Sequence, residues 1–77
     1  METEMIRLTY APDVDALAIW FAPGATTIGA REIAPDTYAD FDKDGRLLGI
    51  EVLNAGGHYA QSDLDQLPEP GRPTAKA

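Results

Sequence analysis

Met5-Ile6-Arg7-Leu8-Thr9-Tyr10 alternates in polarity, with Ile6, Leu8 and Tyr10 on one side and Arg7 and Thr9 on the other. A period of two places successive side chains on opposite faces of an extended chain, so this stretch predicts a β-strand. Pro12 and Asp13 then supply turn chemistry, proline by presetting φ and aspartate by hydrogen bonding to nearby backbone. The alternation resumes over residues 16–21, where Leu17, Ile19 and Phe21 oppose Ala16, Ala18 and Trp20. The first two strands therefore read as a hairpin.

After the break at Ala22-Pro23-Gly24-Ala25, residues 26–34 form a third strand candidate rich in β-branched side chains, with Gly29 as a bulge or close packing point. Pro35-Asp36 makes the next turn, and residues 37–41 and 46–53 give the fourth and fifth strands, joined by Asp42-Lys43-Asp44-Gly45. In the fifth, Leu48, Ile50 and Val52 share a face opposite Leu47, Gly49, Glu51 and Leu53. Short strands at this spacing predict a mainly β fold, a five-stranded antiparallel meander sheet. No stretch suits the crossover helix that a parallel sheet requires.

Asn54-Ala55-Gly56-Gly57 stops the strand series. Ser62-Asp63-Leu64-Asp65-Gln66-Leu67 predicts a short C-terminal helical turn, with Ser62 as N-cap, Asp65 three residues later, and Leu64 and Leu67 placed to dock on the sheet. Pro68 limits the helix, because the residue before a proline is pushed out of the α region. Residues 1–67 are thus expected to form a single small β domain, and residues 68–77 a disordered, proline-rich tail.

Composition narrows the chemistry. A chain of 77 residues without cysteine has neither disulfides nor thiolate zinc to support a small core, and its single histidine is too few for a histidine metal site. Association with another chain is the device that remains, so a homodimer or a protein partner is expected. The net charge is −7, and residues 1–67 hold twelve acids against four bases. Such a body repels a phosphate backbone, which argues against nucleic acid as a partner and makes a basic protein electrostatically easier. The N-terminus has acids where a secretory signal needs bases, and no apolar run approaches the ~20 residues of a membrane helix. The expected location is cytoplasmic, without membrane association.

One string promises more. Residues 40–51 spell Asp-x-Asp-x-Asp-Gly with an aliphatic eighth position and Glu at the twelfth, the pattern of an EF-hand calcium loop. Such a loop needs an amphipathic helix on each side. Here the entering flank carries Pro35 and β-alternating Tyr38 and Phe41, while the exiting flank is β-branched and then broken by Gly56-Gly57. The string is therefore expected to be a β-hairpin. Asp42 and Asp44 serve as turn residues, Gly45 supplies a positive φ, and Asp40 and Glu51 fall on paired strands on or near the solvent face.

Two segments carry a resemblance. Tyr10-Ala11-Pro12-Asp13-Val14-Asp15-Ala16-Leu17-Ala18-Ile19-Trp20, and later Asp40-Phe41-Asp42-Lys43-Asp44-Gly45-Arg46-Leu47-Leu48-Gly49-Ile50-Glu51-Val52-Leu53, resemble the DUF2283 family, small and mostly bacterial proteins of unknown function. The family pattern looks like Y-D-P-x-x-D-A-L-Y-I followed by D-Y-D-x-D-G-x-L-V-G-I-E-I-L, from which Ala11 and Ala18 depart. The resemblance covers roughly residues 5–55 and implies a compact β-rich domain; it transfers no catalytic residues.

The remaining candidates are few. His58 lacks an evident nucleophile or orienting partner, since the one serine, Ser62, is assigned as a cap. Asp13 and Asp15 flank a turn whose chemistry accounts for both. Trp20 points away from Leu17, Ile19 and Phe21, and with Ala18, Leu47 and Leu53 it defines a candidate interface, since buried interface patches favour tryptophan. No catalytic, cofactor or metal residue is assigned. The expected role is a non-catalytic interaction or self-associating module; the alternatives are a small enzyme or cation-binding domain using the acidic turns, and an antitoxin-like companion of a basic protein.

Overall fold

The computed structural model describes residues 6–22 and 25–70. Five strands, β1 (Arg7–Ala11), β2 (Ala16–Trp20), β3 (Gly29–Ala34), β4 (Thr37–Phe41) and β5 (Leu47–Val52), form one sheet in the order β1-β2-β5-β4-β3 with every neighbouring pair antiparallel. A 3-10 turn at Ala55–Gly57 and one short helix, α1 (Gln61–Leu64), follow. The mainly β, five-stranded antiparallel fold expected from the alternation is the fold found. Met5, Pro23 and Gly24, named in the strand and turn readings, lie outside the described residues.

Consecutive strands pair as β1–β2 and β3–β4–β5, and the link over residues 21–28 joins these two units. It carries the chain to the far edge and leaves β5 in the centre, beside β2. The amides of Phe21 and Ala22 both donate to the Leu48 carbonyl (2.8 and 3.3 Å), and the Ile28 amide donates to Phe41 (2.9 Å). Leu48 is the extra residue of a bulge, since the register steps from Asp40↔Gly49 to Phe41↔Leu47. A second shift between Glu32 and Ala34 sets Ile33 out of the β3–β4 pairing. Gly29 merely opens β3, with nothing within 4 Å of an added Cβ, so the irregularity expected there belongs to Ile33.

Directly opposed residues in an antiparallel pair share a face. Tyr10, Leu17, Val52 and Thr37 form one row across the sheet, and Leu8, Ile19, Ile50 and Ala39 the next. On this face Tyr10, Leu17 and Val52 pack with Ala55 from the 3-10 turn and Leu64 from α1, with Ile50 and Leu67 against them. The cap exists because Leu64 and Leu67 sit three apart on one side of a helical turn.

Hydrogen bonds hold the cap down. Asp15, in the left-handed region at φ 55, accepts the Tyr10 hydroxyl (2.6 Å) and the Gly56 amide (3.0 Å) on its carboxylate, and its carbonyl accepts the Ala55 amide (3.0 Å). Gln61 donates to Tyr10 Oη (3.2 Å) and to Asp65 Oδ1 (2.9 Å). Ser62 is not the N-cap. That position is Ala60, whose carbonyl receives the amides of Asp63 (3.0 Å) and Leu64 (3.2 Å), so the helix starts before Ser62 without a side-chain cap. The chain also stays attached beyond the expected domain end, because the Tyr10 amide donates to the Pro68 carbonyl (2.9 Å). Residues 71–77 of the expected tail lie outside the described residues.

Candidate functional site: a carboxyl pair on the uncapped sheet face

The opposite face carries two rows of different chemistry. One runs Arg7, Trp20, Gly49, Asp40, Ala30, and the next Thr9, Ala18, Glu51, Tyr38, Glu32. Among the described residues, the turn and helix outside the sheet contribute Ala55 and Leu64 to the other face.

Trp20 lies over Gly49. A Cβ at Gly49 would collide with indole Cε3 and with the Ile19 carbonyl (2.7 Å), so a residue without a side chain lets the indole settle on the backbone. Asp40, opposed to Gly49, is only 2% exposed, and its Oδ2 has no hydrogen-bond partner. Glu51, diagonal to both, is pushed up to about 7, first by a shared hydrogen bond with Asp40, then by burial and by the Asp40 charge. The cause is general: a carboxyl beside another in a partly dry site ionises less readily. Thr9, in the Glu51 row, is also buried with its Oγ1 unpartnered.

The expectation for Asp40 and Glu51 is corrected here. Their strand positions are as expected, but Asp40 is buried and Glu51 half-buried. Trp20 lies against Gly49, the residue paired with Asp40, and so places a large side chain next to the pair. Strand parity already set Glu51 and Gly49 on one face, and pairing Asp40 with Gly49 across the loop would have brought the carboxyls together.

The hairpin itself forms as expected. Asp42 Oδ1 accepts the amides of Asp44 (2.8 Å) and Arg46 (2.9 Å), the Gly45 amide donates to the Asp42 carbonyl (3.0 Å), and Gly45 adopts φ 82. The Arg46 amide above all holds the Asp42 carboxyl below its ordinary range. That oxygen is committed to backbone while Asp40 and Glu51 sit on the sheet face, so the string does not close into a cation cage. No group of three or more His, Cys, Asp or Glu with metal-holding geometry exists among the described residues.

The other candidates separate. Trp20 and Ala18 are half-buried on the carboxyl face, whereas Leu47 and Leu53 are each 44% exposed and bracket β5 at its two ends. Six residues of extended chain keep those leucines about 20 Å apart, so the four do not make one patch. Asp13 stands beside a cleft of about 550 Å³ between the β1–β2 turn and Glu69-Pro70, while Asp15 is committed to the cap. His58 Nε2 lies 3.0 Å from Asp36 Oδ2 and ties the 3-10 turn to the β3–β4 turn. Asp36 is itself left-handed at φ 60, and its carbonyl accepts the Leu53 amide (2.8 Å).

Fold and site together define a small antiparallel sheet protein, capped on one face and bearing a buried aspartate and a half-buried glutamate beside a tryptophan on the other. The chain belongs to the DUF2283 family, described as a protein of unknown function, which matches residues 7–55. Within that span the Tyr10 and Asp15 of the first motif are the pair that hydrogen-bonds under the cap, and Asp40, Gly49 and Glu51 of the second are the carboxyl site. No curated protein and no solved structure matches the chain. No helix among the described residues is long and apolar enough to cross a membrane.

Proposed function

We propose that the protein is a non-catalytic interaction module that binds a basic partner protein through its uncapped sheet face. One observation carries this reading: a buried carboxylate oxygen without a partner lies beside a half-buried tryptophan on a face that no described helix covers. Buried polar groups are ordinarily satisfied, so an orphan on this face calls for a partner group that the isolated chain does not supply. The net charge of −7 draws a cationic surface and speeds encounter with it. A cytoplasmic companion of a basic protein is the form this takes. Self-association is the second reading, favoured by Arg7, which stands at the far end of the Trp20–Asp40 row and gives a second copy a cation to offer.

The test is recovery from the native cell of the wild-type chain and of Trp20→Glu, followed by reconstitution of any complex from purified components. A basic protein retained by the wild type and lost by a folded Trp20→Glu chain supports the reading. A wild-type chain that sediments as a monomer at every concentration and retains nothing overturns it.

A further inference from the structure

Thr9 Oγ1 and Asp40 Oδ2 are buried, lack a hydrogen-bond partner, and both belong by register to the uncapped face. The capped face has no such orphan among the described residues. Of the two, Asp40 stands beside Glu51 and across Gly49 from Trp20, whereas Thr9 lies on the edge strand β1.

We infer that Asp40 and Glu51, flanked by the Trp20 indole, form a receptor for one arginine side chain of the partner protein. This rests on the interaction reading above and deepens it. A guanidinium presents paired N–H donors in a plane, which suits two neighbouring carboxyls, and its flat face stacks on an indole. The indole lies against Gly49, the residue paired with Asp40, and is half-buried, so part of it is exposed for stacking. An ammonium could answer the charge but neither the fork nor the stack. A divalent ion is poorly served, since the two carboxyls have no third acidic or histidine ligand among the described residues.

The surrounding charges agree with this assignment. From β1 the face receives Arg7, on the far side of Trp20 from Asp40; β2 offers Trp20, Ala18 and Ala16, none of them charged. From β4 come Tyr38 and Asp40, and from β3 Glu32, so the end of the face nearest the pair is acidic. Arrival of the cation turns the Glu51 carboxylic acid into a carboxylate and releases its proton to solvent. Binding is therefore linked to pH, because Asp40 and burial raise the Glu51 carboxyl to about 7 and a proton there competes with the cation.

The experiment titrates the intact protein with N-acetyl-arginine-N-methylamide, with the blocked lysine and citrulline analogues as controls. Fluorescence of Trp20, the chain's single tryptophan, and amide NMR shifts report binding. Expected are saturable shifts at Trp20, Ala18 and Glu51 at pH 8, weaker binding of lysine, none of neutral citrulline, and about tenfold weaker arginine binding at pH 6. Glu51→Gln should weaken binding at pH 8 and flatten its pH dependence, and Asp40→Asn should abolish it, in chains whose amide spectra remain dispersed. Equal binding of citrulline, equal arginine affinity at pH 6 and 8, shifts confined to other surfaces, or tighter occupation of the same residues by calcium would each overturn the receptor. Failure of the two readings is distinguishable. A partner still captured by Asp40→Asn removes the arginine receptor and leaves the interaction module, whereas arginine binding in a chain that captures nothing removes the module alone.

Discussion

The two faces of this sheet are made from the same five strands, yet they are finished differently. Under the cap, Asp65, Gln61, Tyr10, Asp15 and Gly56 are joined hydrogen bond to hydrogen bond around Leu17, Val52, Ala55 and Leu64. Across the sheet, Asp40 and Thr9 are as well buried but end in unpartnered oxygens, and the Glu51 carboxyl is pushed up to about 7. A stable small domain needs only the first kind of face. Features that cost stability and persist are expected where a protein meets something else.

That contrast is broken most directly by opposite signs of mutational effect. Leu64→Ala removes a 2%-exposed side chain from the cap and should cost about 3 kcal/mol, a large share of what so small a domain has, seen as a lower urea midpoint with unchanged slope. Asp15→Ala should cost about 2 kcal/mol, since it loses acceptors for Tyr10 and Gly56 and places a Cβ residue with no local hydrogen bond at φ 55. Asp15→Asn tolerates that φ and keeps one acceptor, so it should recover roughly half of the loss. On the other face, Asp40→Asn should raise stability at pH 8 by about 1 kcal/mol, because it removes a buried charge that the isolated chain leaves unmet. A destabilising Asp40→Asn would mean that the two faces are finished alike.

A weaker effect separates the faces by pH. Glu51 has an ordinary value of 4.5 and a folded value of about 7, so between these the folded chain binds more protons than the unfolded one. Its contribution is complete below 4.5 and is lost as pH rises toward 7. Asp42 acts in the other direction and at lower pH: its folded value lies below 3.8, so its contribution is present above 3.8 and lost as pH falls further. Chemical unfolding from pH 4.5 to 8 should therefore show a fall in stability that Glu51→Gln removes; an unchanged slope in that variant would assign the titration elsewhere.

Period-two alternation was enough to place all five strands and to divide Gly49, Ile50, Glu51 and Val52 between the faces, because side-chain parity is local information; it failed at Leu47, which the bulge at Leu48 sets opposite Phe41. The cap was half legible: Leu64 and Leu67 announced a docking turn, but the start at Ala60 depends on where the loop lands, which no local motif states. The site was hidden for a related reason. Asp40 and Glu51 look like members of a loop motif along the chain, and their union is a cross-strand fact that requires the register Asp40↔Gly49 and Tyr38↔Glu51. Trp20 joins them only because β2 pairs with β5, a long-range contact made after the chain has crossed to the far edge and returned.

The smallest expected effect concerns the calcium-like string. In an EF-hand the first, third, fifth and twelfth residues converge on one ion. Here the third, Asp42, spends Oδ1 on the amides of Asp44 and Arg46, and the first and twelfth lie on the sheet face, away from the loop, where Asp40 raises the Glu51 carboxyl. Assembling the cage would require breaking both the hairpin turn and the carboxyl pair, along with the sheet register that sets Asp40 beside Gly49. Millimolar calcium at pH 7 should therefore leave the melting temperature within about a degree of its value in chelator, as expected for weak screening of surface charge. A rise of several degrees, lost in Asp42→Asn, would instead place an ion at the tip and make the loop, rather than the sheet face, the functional end of the hairpin.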